Sequence, residues 1–231
     1  DDVLELSNLN RFSGGFRAAL GRPKVEVVKE HLTNINPDCQ VSAINDQVDS
    51  PAAQALMAAA DWIVVSTDSH SSRKCAQDTA IKYGVPLISA GVSITVAKEG
   101  ERHVIADESG EVIVIRHGDG FCLHCLGRIN PYKVAQETHP DPNVRTGLVK
   151  KGYVSGGNEK EPAVMPLNTV IASLAVKSLL NQYRADAVHR PITVFECHDG
   201  FCCYPDTESM NALPDTCPAC GRNVHDYMKE A

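Results

Sequence analysis

Four of the nine cysteines in this 231-residue chain stand in two Cys-x-x-Cys pairs, Cys122 with Cys125 and Cys217 with Cys220. Each pair can present two thiolates to one metal ion, and together they complete the tetrahedral set of sulfur ligands that structural zinc prefers. Four protein ligands leave no position open for a substrate. The spacing therefore predicts a structural zinc site that ties the C-terminal segment to the middle of the chain. Two alternatives stay open: unrelated pairs of buried cysteines, and replacement of one thiolate by His124.

Three charged residues could together bind a nucleotide triphosphate and its magnesium ion. Arg11 offers a planar fork of donors to phosphate oxygens, and Lys24 offers a positive charge beside a predicted helix start. Asp68 follows an apolar run and is a hard oxygen ligand suited to magnesium. Taken singly, each has a plain alternative, because most surface Arg and Lys side chains are solvated and an Asp before a helix often caps it.

These candidates need a scaffold, and the apolar periodicity predicts one in which strands and helices alternate. Alternation of this kind predicts an α/β fold with a Rossmann-like, mostly parallel sheet and helices on both faces, whose ligands bind beyond the carboxyl ends of the strands. Later runs predict a short antiparallel portion. The predicted helices are 22–36, 51–60, 69–83 and 166–183; the predicted strands are 40–48, 61–66, 85–89 and 192–196, with antiparallel strands at 93–97, 103–106 and 111–116.

One long segment lacks this regularity. Prolines and glycines interrupt residues 130–163, where apolar periodicity is weak, and this predicts a mobile crossover loop within the domain. The longest predicted helix, 166–183, follows the loop and is expected in the core or at a dimer interface.

Composition narrows the class of protein. The length and the 43% hydrophobic content suffice for a buried core, and one α/β domain is expected. A net charge of -7 opposes binding to nucleic acid. No apolar run approaches the roughly 20 residues of a membrane span, so we expect no membrane partner. Cysteines in chelating pairs suit a reducing compartment, and we expect a cytoplasmic protein.

Several segments resemble, in order and in spacing, the ThiF, MoeB and HesA family, which includes the ubiquitin-activating enzymes. The resemblance covers nearly the whole chain and begins with Asp2 and the run Ser7-Asn8-Leu9-Asn10-Arg11. The further matching segments are 21–24 before a helix, 35–37 at its end, the strand and turn 63–69, and the two cysteine pairs.

The resemblance implies an adenylyltransferase that uses ATP and magnesium, carries zinc and forms a homodimer. Its substrate would be the C-terminal carboxylate of a ubiquitin-like or sulfur-carrier protein, and Arg11, Lys24 and Asp68 would act in catalysis. Adenylation of a peptide or nucleoside carboxylate, and a non-catalytic scaffold subunit, stay open as alternatives. A nicotinamide oxidoreductase is less favoured because it would not need the Ser-Asn-Leu-x-Arg segment. The residues implied to bind nucleotide or magnesium are Asp2, Ser7, Asn8, Arg11, Lys24, Asp68 and Ser69.

The chain also departs from the family pattern. It starts just after the aspartate that binds the ribose, so the family's glycine turn and an arginine donated from a partner subunit would lie upstream. Because a sheet without its central strand exposes unpaired edges, we expect residues 1–231 to form a single adenylating domain that is incomplete at its N-terminus and inactive alone.

A further departure concerns thioester chemistry. No cysteine lies between Cys125 and Cys197, where many relatives carry one. We therefore expect the reaction to stop at the adenylate. The cysteines outside the two pairs are expected to be packing residues, because free cysteine is usually buried. They are Cys39, Cys75, Cys197, Cys202 and Cys203.

Overall fold

The computed structural model describes residues 2–100, 102–141, 143, 165–197 and 200–223. Within those ranges, no helix combines the length and the apolar content that crossing a bilayer would require. The predicted crossover loop begins with a helix at Pro131–Glu137, so that part of the loop prediction is wrong. Residues 144–163 of the predicted loop lie outside the described residues.

Local signals set the ends of the helices. The Oγ of Ser69 caps one helix by accepting the backbone N–H of Ser72, and Gly84 ends it in a left-handed conformation at φ 68°. Ser50 caps the preceding helix in the same way. The four predicted helices are confirmed as α1, α2, α3 and α5. The α-helices of the described residues are α1 (Lys24–Ile35), α2 (Pro51–Ala58), α3 (His70–Tyr83), α4 (Pro131–Glu137), α5 (Met165–Asn181) and α6 (Thr207–Asn211).

One five-stranded sheet organises the described residues, and its strands lie side by side in chain order. The first two strands are parallel, with α3 as their crossover, and the remaining neighbours are antiparallel. The strands are β1 (Ile63–Val65), β2 (Leu87–Glu99), β3 (Arg102–Ile115), β4 (Ile192–Glu196) and β5 (Cys202–Pro205).

Helices cover both faces of the sheet, as predicted. On one face α3 and the segment with the first cysteine pair pack against β1 and β2, in a core that includes Ile63 and Ala76. On the other face α5 packs against β2 and β3, in a core that includes Val112 and Ile171. Gly110 permits this close approach, because a Cβ added there would lie 2.5 Å from the Ile171 side chain.

The N-terminal segment folds back on the start of α1. The Leu4 N–H donates to the Arg22 carbonyl at 2.8 Å, and the Lys24 N–H donates to the Asp2 carbonyl at 2.8 Å. Leu4 and Val27 are buried together in a small core. The result is that Asp2 and Lys24, 22 positions apart in sequence, are neighbours in space.

The α/β class and the antiparallel portion are confirmed, and three details of the sheet are corrected. The parallel share is smaller than predicted, since one of four strand pairs among the described residues is parallel. The runs 93–97, 103–106 and 111–116 belong to two long strands, because a turn at Gly100 lets them pair as one hairpin. Residues 40–48 are not a strand, since no described strand lies beside them to complete their hydrogen bonds.

Candidate functional site

A groove of about 1650 Å³ opens at the carboxyl end of β1. Its walls come from the N-terminal segment, the β1–α3 turn, α4, α5 and the β4–β5 region. Three residues of the predicted nucleotide site, Asp2, Arg11 and Asp68, line it. The other four, Ser7, Asn8, Lys24 and Ser69, stand beside those residues without lining the groove themselves.

The β1–α3 turn presents an exposed carboxylate to the groove. Buried apolar residues of β1 give way to Thr67 and Asp68, and Asp68 is exposed. Ser69 caps α3, so the capping role that the sequence left open for Asp68 belongs to its neighbour. An exposed carboxylate of this kind can hold a divalent cation.

A tight turn holds Arg11 at the groove. Its Nη1 donates to the Ser7 carbonyl at 2.8 Å and to Asn10 Oδ1 at 3.3 Å. The Oδ1 of Asn8 accepts the Glu5 N–H at 3.0 Å and closes the same turn. Ser7 and Asn8 therefore shape the backbone that positions the guanidinium.

Lys24 is joined to the groove wall through Asp2. The Lys24 Nζ lies 2.9 Å from Asp2 Oδ2. The hydrogen bond from Lys24 lowers the pKa of Asp2, which keeps that carboxyl charged. The pair is exposed on the Asp2 side, so water molecules and anions can compete with Asp2 for the Lys24 ammonium.

A carboxylate of this chain occupies the N-terminus of α3. Glu137, at the end of α4, accepts the His70 N–H at 3.1 Å and the Ser71 N–H at 2.6 Å. The Asn130 N–H donates to His70 Nδ1 at 3.1 Å. Burial, followed by nearby cations, lowers the pKa of His70 and favours the neutral ring that can accept this bond. These contacts fix α4 at the groove, which Lys133 of the same helix lines.

Two arginines of the groove were missed as site residues. Arg73 donates its Nε to the Thr67 carbonyl at 3.0 Å. Arg128 forms a bidentate salt bridge with Glu111, in which Nε and Nη2 each lie 2.9 Å from a carboxylate oxygen. The position of Arg73 in the first turn of the helix after Asp68 is a signal that could have found it. Arg128 and Glu111 give no such signal, because their contact depends on tertiary structure.

The two cysteine pairs converge. The Sγ–Sγ distances are 3.6 Å for Cys122–Cys125, 3.9 Å for Cys122–Cys217 and 3.5 Å for Cys125–Cys220, and all four Sγ atoms lie within 4.8 Å of one another. Thiolates about 2.3 Å from a tetrahedral zinc are about 3.8 Å apart, so the cluster fits such a metal without disulfides. The predicted convergence is confirmed, and the alternative of two unrelated pairs is wrong.

Burial and hydrogen bonding shift the pKa values of two of the cluster thiols in opposite directions. Burial raises the pKa of Cys125 to about 12. Burial acts in the same direction on Cys217, but hydrogen bonds from the Cys220 backbone, the Cys125 thiol and other neighbours lower its pKa to about 6. His124 Nδ1 lies 3.7 Å from Cys217 Sγ, so His124 stands beside the four-cysteine cluster rather than in place of one of its thiols.

The other five cysteines do not all pack as expected. Cys39, Cys202 and Cys203 are exposed, so the packing prediction is wrong for these three. Cys75 and Cys197 are partly buried, and burial raises the pKa of both thiols. Among the described residues that line the groove, none is a cysteine.

The chain is similar in sequence to known adenylyltransferases and activating enzymes. It is 30% identical to the molybdopterin-synthase adenylyltransferase of Escherichia coli K12 over 128 residues, which are 55% of this chain and 47% of that enzyme. It is 24% identical to the SAMP-activating enzyme E1 of Haloferax volcanii over 230 residues, which are 100% of this chain and 72% of that enzyme. The chain thus spans less than half of the first relative and most of the second.

The fold is shared with solved structures. The structure of E. coli MccB with ATP superposes with a TM-score of 0.63 at 18% identity, over 95% of this chain and 57% of that chain. The sequence pattern of the ThiF family matches residues 1–195. The chain therefore belongs to the ThiF family.

Proposed function

We propose that the full-length protein uses ATP to adenylate the C-terminal carboxylate of a ubiquitin-like or sulfur-carrier protein. The observation that carries this proposal is the convergence of Asp2, Arg11 and Asp68 on one groove at the carboxyl end of β1, in a chain of the ThiF family. The similarity to a molybdopterin-synthase adenylyltransferase and to a SAMP-activating enzyme supports the reaction class.

The reaction joins one carboxylate oxygen to the α-phosphorus of ATP. The bond from that phosphorus to the bridging oxygen breaks, and pyrophosphate leaves with the electron pair. Negative charge grows on the leaving group, so positive charge placed there in advance lowers the barrier. Arg11 and Lys24 would supply that charge. Asp68 would hold the magnesium ion, which neutralises phosphate charge when bound.

The remaining residues of the proposed nucleotide site act on these three. Asp2 positions the ammonium of Lys24, and Ser7 and Asn8 form the turn that holds Arg11. Ser69 caps α3 next to Asp68. Because in-line attack requires aligned groups, we expect this supporting shell to affect the rate through positioning.

We assign the four-cysteine cluster to a structural zinc ion. Cys122, Cys125, Cys217 and Cys220 supply a complete tetrahedral donor set at the separations zinc requires. Such a site needs free thiols, so a reducing cytoplasmic compartment suits it. The zinc would join the segment that holds Cys217 and Cys220 to the core beside α3, and it would take no part in the adenylation.

A homodimer completes the proposal. Leu180 of α5 is 56% exposed and does not line the groove, so the helix that covers the sheet also presents an apolar side chain outward. A second copy would bury this side chain. Analytical ultracentrifugation of the full-length protein tests this point, and a monomer at micromolar concentration would contradict it.

A peptide carboxylate is the second candidate substrate, because the fold is shared with MccB, which has been solved in complex with N-formylated MccA. ATP–pyrophosphate exchange by the full-length protein separates the candidates. Exchange that depends on a ubiquitin-like or sulfur-carrier protein supports the first, and exchange that depends on a short peptide supports the second. No exchange with either would contradict adenylation and favour a scaffold subunit.

A further inference from the structure

We infer that Arg73 binds the carboxylate of the acceptor substrate, an inference that rests on the proposed adenylation. Arg73 lines the groove from the first turn of α3 and is half-buried. Its Nε donates to the Thr67 carbonyl at 3.0 Å, which fixes the guanidinium. Within the described ranges, no acidic side chain pairs with it and neither terminal nitrogen has a hydrogen-bond partner.

The other groove arginines are differently engaged. Arg128 is neutralised by its fork with Glu111 and by Asp206 Oδ2 at 3.8 Å, so it has little capacity left for an anionic ligand. Arg11 is assigned above to the triphosphate. Arg73 and Arg11 each combine an anchored guanidinium with a charge that no described acidic side chain neutralises. With Arg11 assigned to the triphosphate, Arg73 is left for the acceptor, and a planar guanidinium of this kind suits a carboxylate.

The position of Arg73 agrees with this role. A Cβ added to Gly91 of β2 would lie 3.8 Å from Arg73 Nη2, so the guanidinium stands close to a strand position that has no side chain. Gly91 pairs across the sheet with Glu111, while Asp68 stands five residues before Arg73. The guanidinium of Arg73 therefore stands beside β2 in the same groove that Asp68, the proposed magnesium ligand, lines.

A second polar group at this place is incompletely bonded. The Oγ1 of Thr67 is buried and has no hydrogen-bond partner in the described part of the chain. A buried hydroxyl without a partner is costly, so a ligand that brings an acceptor oxygen close to Thr67 and Arg73 would relieve the cost. A carboxylate supplies such an oxygen.

The test uses the full-length protein with a non-hydrolysable ATP analogue and two synthetic peptides. Both peptides end in Gly-Gly, one with a free carboxylate and one with a C-terminal amide. We expect the wild type to prefer the carboxylate by roughly tenfold or more, as a charged hydrogen-bonded pair would give. Arg73→Gln should remove the preference, and Arg73→Lys should keep part of it. Affinity for the ATP analogue should stay within about twofold.

Arg184→Gln is the matched control, because Arg184 pairs with Asp186 on the surface and does not line the groove. It should leave the preference intact. A wild type without preference, or an Arg73→Gln variant that keeps it, would overturn the inference. If the wild type does not bind the ATP analogue at all, the proposed function itself is contradicted. In exchange assays Arg73→Gln should raise the KM for the acceptor far more than the KM for ATP.

Discussion

The backbone N–H of Ser71, at the start of α3, donates a hydrogen bond of 2.6 Å to the carboxylate of Glu137, at the end of α4. The same carboxylate accepts the His70 N–H at 3.1 Å. A helix leaves its first N–H groups unsatisfied, and its dipole favours negative charge at that end. Glu137 therefore joins α4 to the turn that carries Asp68, and it holds Lys133 at the groove.

We expect Glu137→Ala to lower the free energy of unfolding by roughly 1–2 kcal/mol, because two helix N–H groups lose their partner. Glu137→Gln should cost less, since its carbonyl oxygen can still accept one bond. Urea denaturation measures the free energy of unfolding of both variants and of the wild type. Glu99→Ala, at the exposed end of β2, is the control and should change stability by about 0.5 kcal/mol or less. An Ala variant as stable as wild type would show that this contact contributes nothing.

Sequence reasoning succeeded where a structure is set by neighbouring residues. Ser69 and Gly84 bound α3 through contacts within one helical turn, and β4 occupies the predicted run at residues 192–196. The spacing within each cysteine pair also identified a chelating site, because the geometry of such a pair is local. In these places the local preference and the tertiary structure agree.

It failed where a long-range partner decides the outcome. Residues 40–48 have strand-like composition, but no strand of the described residues lies beside them. Arg128 contacts Glu111 only because β3 packs against the segment that holds the first cysteine pair. The helix α4 is a different kind of failure. Asn130 caps it and Pro131 stands in its first turn, so the sequence does carry a helix start signal at this point, and the loop prediction is wrong there. Whether the residues of the proposed nucleotide site bind a nucleotide stays a prediction.

Removal of a cluster thiol should release the metal. We expect Cys217→Ser and Cys220→Ser to lose zinc and loosen the C-terminal segment, because zinc binding contributes on the order of 10 kcal/mol in small isolated motifs. Elemental analysis should find one zinc per chain in the parent and none in the variants. Cys203→Ser, an exposed cysteine outside the cluster, should keep its zinc. A parent protein without zinc would refute the assignment.

Loss of the proposed phosphate and magnesium ligands should separate activity from folding. We expect Lys24→Ala and Asp68→Ala to lower the exchange rate by roughly 10²–10³-fold, as removal of a group that stabilises transition-state charge does. Stability should change by less than about 1 kcal/mol, since exposed ion pairs such as Lys24–Asp2 contribute little. Asp186→Ala, which breaks a surface ion pair, should leave the rate unchanged. Near wild-type exchange in either variant would show that the phosphate site lies elsewhere.

Acid should destabilise the fold through His189. Burial, followed by the charge of Arg116, lowers the pKa of this imidazole, although Asp119 acts in the opposite direction. The unfolded state therefore binds the proton more readily, and stability falls as pH drops below about 6.5. Replacing the ring by an apolar one, in His189→Phe, should reduce the loss of stability between about pH 7 and 5. Denaturant titrations at several pH values measure the free energy of unfolding, with the exposed residue variant His117→Phe as the control. If the free energy of unfolding of His189→Phe falls with pH as steeply as that of the wild type, the prediction is contradicted.

The last prediction is that the reaction stops at the adenylate and forms no stable thioester. A thioester needs a thiolate within reach of the activated carbonyl, and a free thiol reacts only where its surroundings favour that thiolate. Cys202 and Cys203 are exposed on β5, so the burial that was expected to silence them is absent. Neither lines the groove, although the next residues of β5, Tyr204 and Pro205, do, and no described cysteine lines it; this supports the prediction. Full-length protein incubated with ATP and a sulfur-carrier or ubiquitin-like protein should show no reducing-agent-sensitive adduct on a non-reducing gel. An adduct that disappears in Cys202→Ala or Cys203→Ala, but persists in Cys39→Ala, would make the protein a thioester-forming activator.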